Sequence, residues 1–216
     1  ATPDNPAVQE TALPPELPTR VSGELRPLTP VTSEIPVYTD KLSPGWSLKS
    51  SVDMTYNERS TTFVYTGTAA VLAQPAKPWS QLIFGVTKDS QQLYRRDRIL
   101  GVRFRVSSST AVIPTDGLVV TVYGSKLYPY YVPDDRSATR PEGRVTTDDP
   151  LFPETRLYFL DVNRDIEPGE WVEIVVWLDQ HFTPDYTYVT ALSIKNDEKF
   201  LQPFSVDDVS LITETF

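Results

Sequence analysis

The most regular stretch of the chain is Gly101-Val102-Arg103-Phe104-Arg105-Val106, where the even positions are apolar and two of the odd ones are arginine. A period of two is that of a strand with one wet face, so Val102, Phe104 and Val106 are expected in a core. Leu118, Val120 and Val122 repeat the pattern, with Tyr123 on the opposite face. So do Val172, Ile174, Val176 and Leu178, whose strand turns Trp171, Glu173, Val175 and Trp177 the other way. Two large rings and a carboxylate on an outward face are usually there to be covered by something. The closing run Phe204 to Ile212 also alternates and sets Asp207 beside Asp208.

Extending this reading along the chain predicts strands over 37–40, 50–56, 61–65, 69–73, 80–86, 99–106, 117–123, 156–161, 171–179, 189–196 and 204–212. No stretch has the period of a long amphipathic helix, and 89–98 is the only candidate for a helical turn. The expectation is an all-β chain folded as a single jelly-roll β-sandwich over 37–216. Residues 1–36 carry Pro3, Pro6, Pro14, Pro15, Pro18, Pro27, Pro30 and Pro36 and have no sustained period. Proline fixes φ and removes ladder donors, so this part reads as an extended arm or linker. Its Leu13, Leu17, Val21, Leu25 and Leu28 leave a second reading open, in which the arm docks on its own sandwich or on a neighbouring subunit. The longest interruption, Gly124 to Thr155, holds Tyr128, Tyr130 and Tyr131, and is expected to be an ordered binding loop.

Composition narrows the function classes. The chain has 216 residues, no cysteine and one histidine. That removes disulfides, thiolate metal sites and cysteine nucleophiles, and makes zinc a poor guess. His181 is expected to be a loop or interface residue, and no Gly-x-Ser-x-Gly turn is present to present a serine. The carboxylates Asp134, Asp135, Glu142, Asp148, Asp149 and Glu154 share one proline-rich loop, where acidic residues are usually solvated. A formal charge of -9 opposes binding to nucleic acid, which needs clustered cations. No apolar run reaches the ~20 residues that span a bilayer. Twenty prolines and an acidic balance suit an extracellular or cell-surface setting.

The opening Tyr38-x-Asp40-x-Leu42-x-Pro44-Gly45-Trp46 and the closing Val206-Asp207-Asp208-Val209-Ser210-Leu211 resemble the two ends of jelly-roll modules of the galactose-binding-like superfamily, which includes many carbohydrate-binding modules. The resemblance covers about residues 37–212. It implies that the two ends pair, and that a structural calcium bridges them, mapping to Asp40 and to Asp207 or Asp208, with Asp53 a further ligand. Adjacent aspartates near a strand end do supply the oxygens a hard cation takes. It also implies a glycan partner. Pyranose C–H faces sit on aromatic rings while polar side chains take the hydroxyls. Trp171, Trp177, Tyr123, Tyr158, Tyr128, Tyr130 and Tyr131 are the candidate rings, with Glu173, Arg156 and Asp161 as companions.

The expectation is therefore a non-catalytic, extracellular carbohydrate-binding-like module. The alternative is a structural subunit of a cell-surface or filament assembly, a homo-oligomer among its forms, whose arm and Trp171/Trp177 face bury against neighbouring copies. A coat protein is the remoter version of it.

Overall fold

The computed structural model describes residues 32–125, 153–181 and 186–214. All belong to one compact unit, Val31–Phe216. The strands are β1 (Thr32–Tyr38), β2 (Trp46–Ser50), β3 (Met54–Ser60), β4 (Ala70–Pro75), β5 (Gln81–Val86), β6 (Ile99–Ser107), β7 (Leu118–Ser125), β8 (Thr155–Arg156), β9 (Val172–Trp177), β10 (Tyr188–Asn196) and β11 (Phe204–Glu214). They form two antiparallel sheets, as the alternation predicts. Sheet A runs β3-β4-β11-β6-β9, with β1 also pairing β11; sheet B runs β2-β5-β10-β7-β8. The chain crosses repeatedly between the sheets, so each is assembled from strands distant in sequence. Among the described residues, no helix is long and apolar enough to cross a membrane.

The core lies between the sheets. Val102, Phe104, Val106, Ile174 and Val176 of sheet A meet Leu82, Phe84, Leu118, Val120, Val122, Leu192 and Ile194 of sheet B. Of these, Val102, Phe104, Val106, Ile174, Val176, Leu118, Val120 and Val122 are positions that the period of two assigns inward. The first and last described strands pair, with Tyr38 opposite Val209 and Ile35 opposite Leu211.

Four readings are corrected. The first strand begins at Thr32 and not at Val37; Pro36 is accommodated where the register with β11 slips, since a residue without an N–H fits an irregular position. The expected strand 50–56 is broken by a turn in which Met54 N–H donates to Ser51 O (3.0 Å), and Val52 is 96% exposed. Its β-branched side chain imitates a strand residue. Residues 61–65 form no strand because their neighbourhood bonds elsewhere: Tyr65 N–H donates to a carboxylate. After Arg156 the chain turns into a 3-10 helix, Leu157–Phe159, which takes Tyr158 off any strand. The candidate helical turn is a 3-10 helix, Lys88–Leu93.

The aspartate pair shapes β11. Asp207 faces Arg105 and Ser210 faces Arg103, so β11 has one residue more than β6 between those pairs, and Asp208 sits at φ 50°. This is a β-bulge, and aspartate tolerates the left-handed region better than most residues. The extra residue sends the two carboxylates to different neighbours.

Candidate functional site

On sheet B, residues alternating with the core positions point away from it. The register aligns Gln81, Lys195, Val119 and Arg156 in one row across β5, β10, β7 and β8. The next row holds Lys49, Ile83, Ser193 and Thr121, and the one beyond holds Ser47, Gly85, Ala191 and Tyr123. Val119, Ile83, Ser193, Thr121, Gly85 and Ala191 are buried, so the exposed part of this face is at the Trp79 end. Ser193 donates to Gln81 Oε1 (3.2 Å).

Trp79 stands at the end of the first row, where the turn after β4 enters β5. The residue is 44% exposed, with the Arg156 guanidinium carbon 6.0 Å and Lys195 Nζ 5.9 Å from the ring centroid. Its φ is 65°, a costly conformation for a bulky side chain, of order ~1–3 kcal/mol. The surroundings hold it there. Trp79 N–H donates to Asn196 O (3.0 Å), and the buried Asn196 amide donates to Lys77 O, Asp197 O and Phe200 O. Ser80 Oγ donates to Asp53 O and Lys77 O. Two turns are thus tied to one asparagine, and the ring is presented as a consequence.

The polar groups beside it are equally fixed. Arg156 Nη1 donates to buried Asp197 Oδ2 (2.7 Å) and to Asp116 O (2.7 Å). The bond to Asp197 holds the guanidinium pKa above its ordinary value. Lys199 Nζ pairs with Asp116 (2.6 Å) and keeps that carboxyl below the usual range, and Lys195 pairs with Glu154. Tyr158 lies close enough to bear on the charge of Arg156, and its exposed ring meets Phe159 at 4.3 Å. The result is an exposed ring bordered by donors and acceptors that are already oriented.

The other sequence-predicted residues lie elsewhere. Tyr123 is half-buried on the same face of sheet B, two rows away. Trp171, Glu173 and Trp177 are on the outer side of sheet A. There Trp171 is half-buried and stacked on Phe63 (5.1 Å, 17° between planes), with Tyr65 at 5.8 Å. Glu173 is held by Arg105 (2.7 Å). Trp177, at the far end of β9, is 37% exposed. Among the described residues the candidate rings therefore divide between opposite sheets. Asp161 borders a different cavity with Asn163, Arg164 and Asp165. Tyr128, Tyr130 and Tyr131 lie outside the described residues. Sequence reasoning missed Trp79, Gln81, Lys195 and Asp197; the available signal was a tryptophan directly after Pro78, in a turn and not a strand.

The residues expected to hold calcium are bonded by protein groups and do not converge on one point. Asp207 Oδ2 accepts the N–H groups of Tyr65 (3.0 Å) and Thr66 (3.2 Å), and Oδ1 accepts that of Asp208 (2.8 Å). Amide hydrogens aimed at a carboxylate do the work that a cation would do. Asp40 Oδ1 accepts from Thr68 and Ala69. Asp208 meets Arg103 and Arg105, and Asp53 meets Lys77. Among the described residues no three acidic or histidine side chains gather.

The fold and this surface define an all-β, two-sheet sandwich with an aromatic and charged patch on one sheet. No protein-family model and no curated protein matches the chain. Solved structures similar to it include a family 29 carbohydrate-binding module from Piromyces equi, at 11% identity and TM-score 0.47, covering 85% of this chain and 91% of the other. The CBM22-1 xylan-binding domain from Paenibacillus barcinonensis aligns at 9% identity and TM-score 0.49, covering 84% and 92%. A family 11 carbohydrate-binding module from Clostridium thermocellum, in complex with a β-1,3-1,4-mixed-linked tetrasaccharide, aligns at 9% and 0.48, covering 84% and 96%.

Proposed function

We propose that this chain is a non-catalytic carbohydrate-binding-like module of an extracellular or surface protein, taking a glycan against Trp79 on the outer face of sheet B. The observation that carries the reading is the exposed Trp79 ring, held at positive φ between Arg156 and Lys195. A sugar's C–H face covers such a ring, and its hydroxyls meet Arg156, Lys195, Gln81 and Glu154. Arg156, Lys195 and Lys199 are matched by Asp197, Glu154 and Asp116, so the patch offers paired donors and acceptors with no surplus charge. That suits a neutral polyol better than a polyanion, which the chain's charge of -9 also repels.

Binding without catalysis agrees with the electrostatics. A glycosidase needs a carboxyl whose pKa is raised where it touches the substrate. Asp116 is shifted the wrong way, and Asp207, which burial does raise, faces loop amides on sheet A.

Affinity electrophoresis through gels containing xylan, mixed-linked β-glucan or hydroxyethyl cellulose tests the reading. At least one polysaccharide should retard the protein, and Trp79→Ala should run unretarded while melting normally. Retardation that survives Trp79→Ala, or none by any polysaccharide, contradicts it.

A further inference from the structure

The outer face of sheet A carries a second flat ring that the Trp79 site does not use. The register aligns Trp177, Gly101, Ile212 and Glu34 across β9, β6, β11 and β1. A Cβ built on Gly101 would lie 3.2 Å from Trp177 Cε3 and 3.6 Å from Ile212 Cδ1, so the missing side chain is what lets the ring approach the sheet. Ile212 is only 7% exposed and stands apart from the inter-sheet core. Trp177 thus roofs the space over Gly101 beside Ile212, and its own remaining surface faces outward.

Polar groups occupy the same outer face of the sheet. Glu34 accepts from Ser210 Oγ (3.0 Å) and pairs with Arg103. Arg103 also approaches Asp208 (3.4 Å) and Glu173 (3.8 Å), and Arg105 bonds Glu173 (2.7 Å). We propose that Trp177 is a second glycan platform, so that the module is bivalent and grips two saccharide chains on opposite faces.

A subunit contact is the competing occupant, and the surroundings argue against it. Stable interfaces bury about 1,000 Å² or more around a core depleted in charge. Here Glu34 lies in the row of Trp177, Arg103 in the next and Arg105 with Glu173 in the one beyond, and with Asp208 these charges are bonded to one another. A single ring among fixed donors and acceptors is on the scale of a sugar ring. The two platforms lie on the outward sides of sheets that pack about 10 Å apart, so one short oligosaccharide does not reach both.

The inference rests on the carbohydrate-binding reading, and one titration separates the two. Isothermal titration of the full chain with cellohexaose and with xylohexaose should give two equivalents per chain for one of them. Trp79→Ala and Trp177→Ala should each leave one equivalent, and the double variant none, with melting temperatures that show every variant folded. One equivalent in the wild type, unchanged by Trp177→Ala and lost in Trp79→Ala, overturns bivalency and leaves the first site standing. Loss of self-association in Trp177→Ala with stoichiometry unchanged assigns the ring to a subunit contact and also overturns it. No heat with either sugar overturns both.

Discussion

The carboxylate of Asp207 accepts the backbone N–H of Tyr65 across 142 residues of sequence, at 3.0 Å. Thr66 and Asp208 supply two further N–H groups, and Asp207 is fully buried. The contact fastens the β3–β4 connection to the bulge of β11, and that connection brings Phe63 and Tyr65 to Trp171. Asp207→Ala leaves three amides without their acceptor. Tyr65 and Thr66 are exposed, so water takes over part of the lost bonding; at ~1–3 kcal/mol for a buried donor left unsatisfied, the loss should be about 1–3 kcal/mol, or a melting temperature lower by roughly 2 °C or more. A change below about 1 °C would show that the loop holds itself.

Two of these aspartates should respond to pH in opposite senses. The amides of Thr68 and Ala69 hold Asp40 below its ordinary 3.8. The stability it supplies is complete above that value and is lost as the pH falls through the lower, folded-state one. Burial, outweighing the amides of Thr66, Asp208 and Tyr65, holds Asp207 above 3.8. The protonation-linked part of its contribution is complete below 3.8 and is lost as the pH rises through the raised value, while the amide bonds remain. In thermal melts, the penalty of Asp40→Asn should shrink on acidification, and that of Asp207→Asn should shrink toward neutrality. Parallel trends would contradict the assignment.

Amides and arginines already bond the carboxylates of Asp40, Asp207 and Asp208, so calcium is not expected to be needed there. Melting temperatures in EGTA and in millimolar calcium should agree. A native-state ligand at a hundredfold excess over Kd would contribute about 2.7 kcal/mol, so a shift of several degrees would return the ion to this site.

The sandwich begins with β1, and this sets where the chain can be cut. A chain starting at Val31 should melt within about 2 °C of the full one. Starting at Thr39 removes the buried Val37 and Tyr38, each worth roughly 1.5–3 kcal/mol, and strips β11 of its β1 partner. That chain should lose cooperative unfolding. An unchanged melt would make β1 dispensable.

Much of the fold was legible because one rule, the period of two, holds where one face is buried. Val102, Phe104, Ile174 and Val176 face the core for that reason alone. The rule fails where a residue has strand chemistry but other partners: Val52 is exposed in a turn, and Tyr65 donates to Asp207. The site was legible in part. Arg156, Tyr158 and Trp177 were nameable from the chain. Trp79 was not, because its presentation depends on Asn196, whose amide ties together two turns far apart in sequence. Nor does periodicity reveal that Phe63 covers Trp171, since that pairing is set by how a connection crosses the sheet.

A glycan that covers Trp79 must change the environment of its indole. The chain has four tryptophans, so its indole N–H groups give four resolvable NMR signals, assignable by single Trp→Phe variants. Trp46 is an internal control, because it is buried and its Nε1–H donates to Tyr94 Oη (3.0 Å). The decisive measurement is the shift of these signals as the polysaccharide that retards the protein is titrated in as its hexasaccharide. The Trp79 signal should move saturably while Trp46 stays in place. Saturable binding during which Trp79 does not move would place the glycan elsewhere and contradict the account.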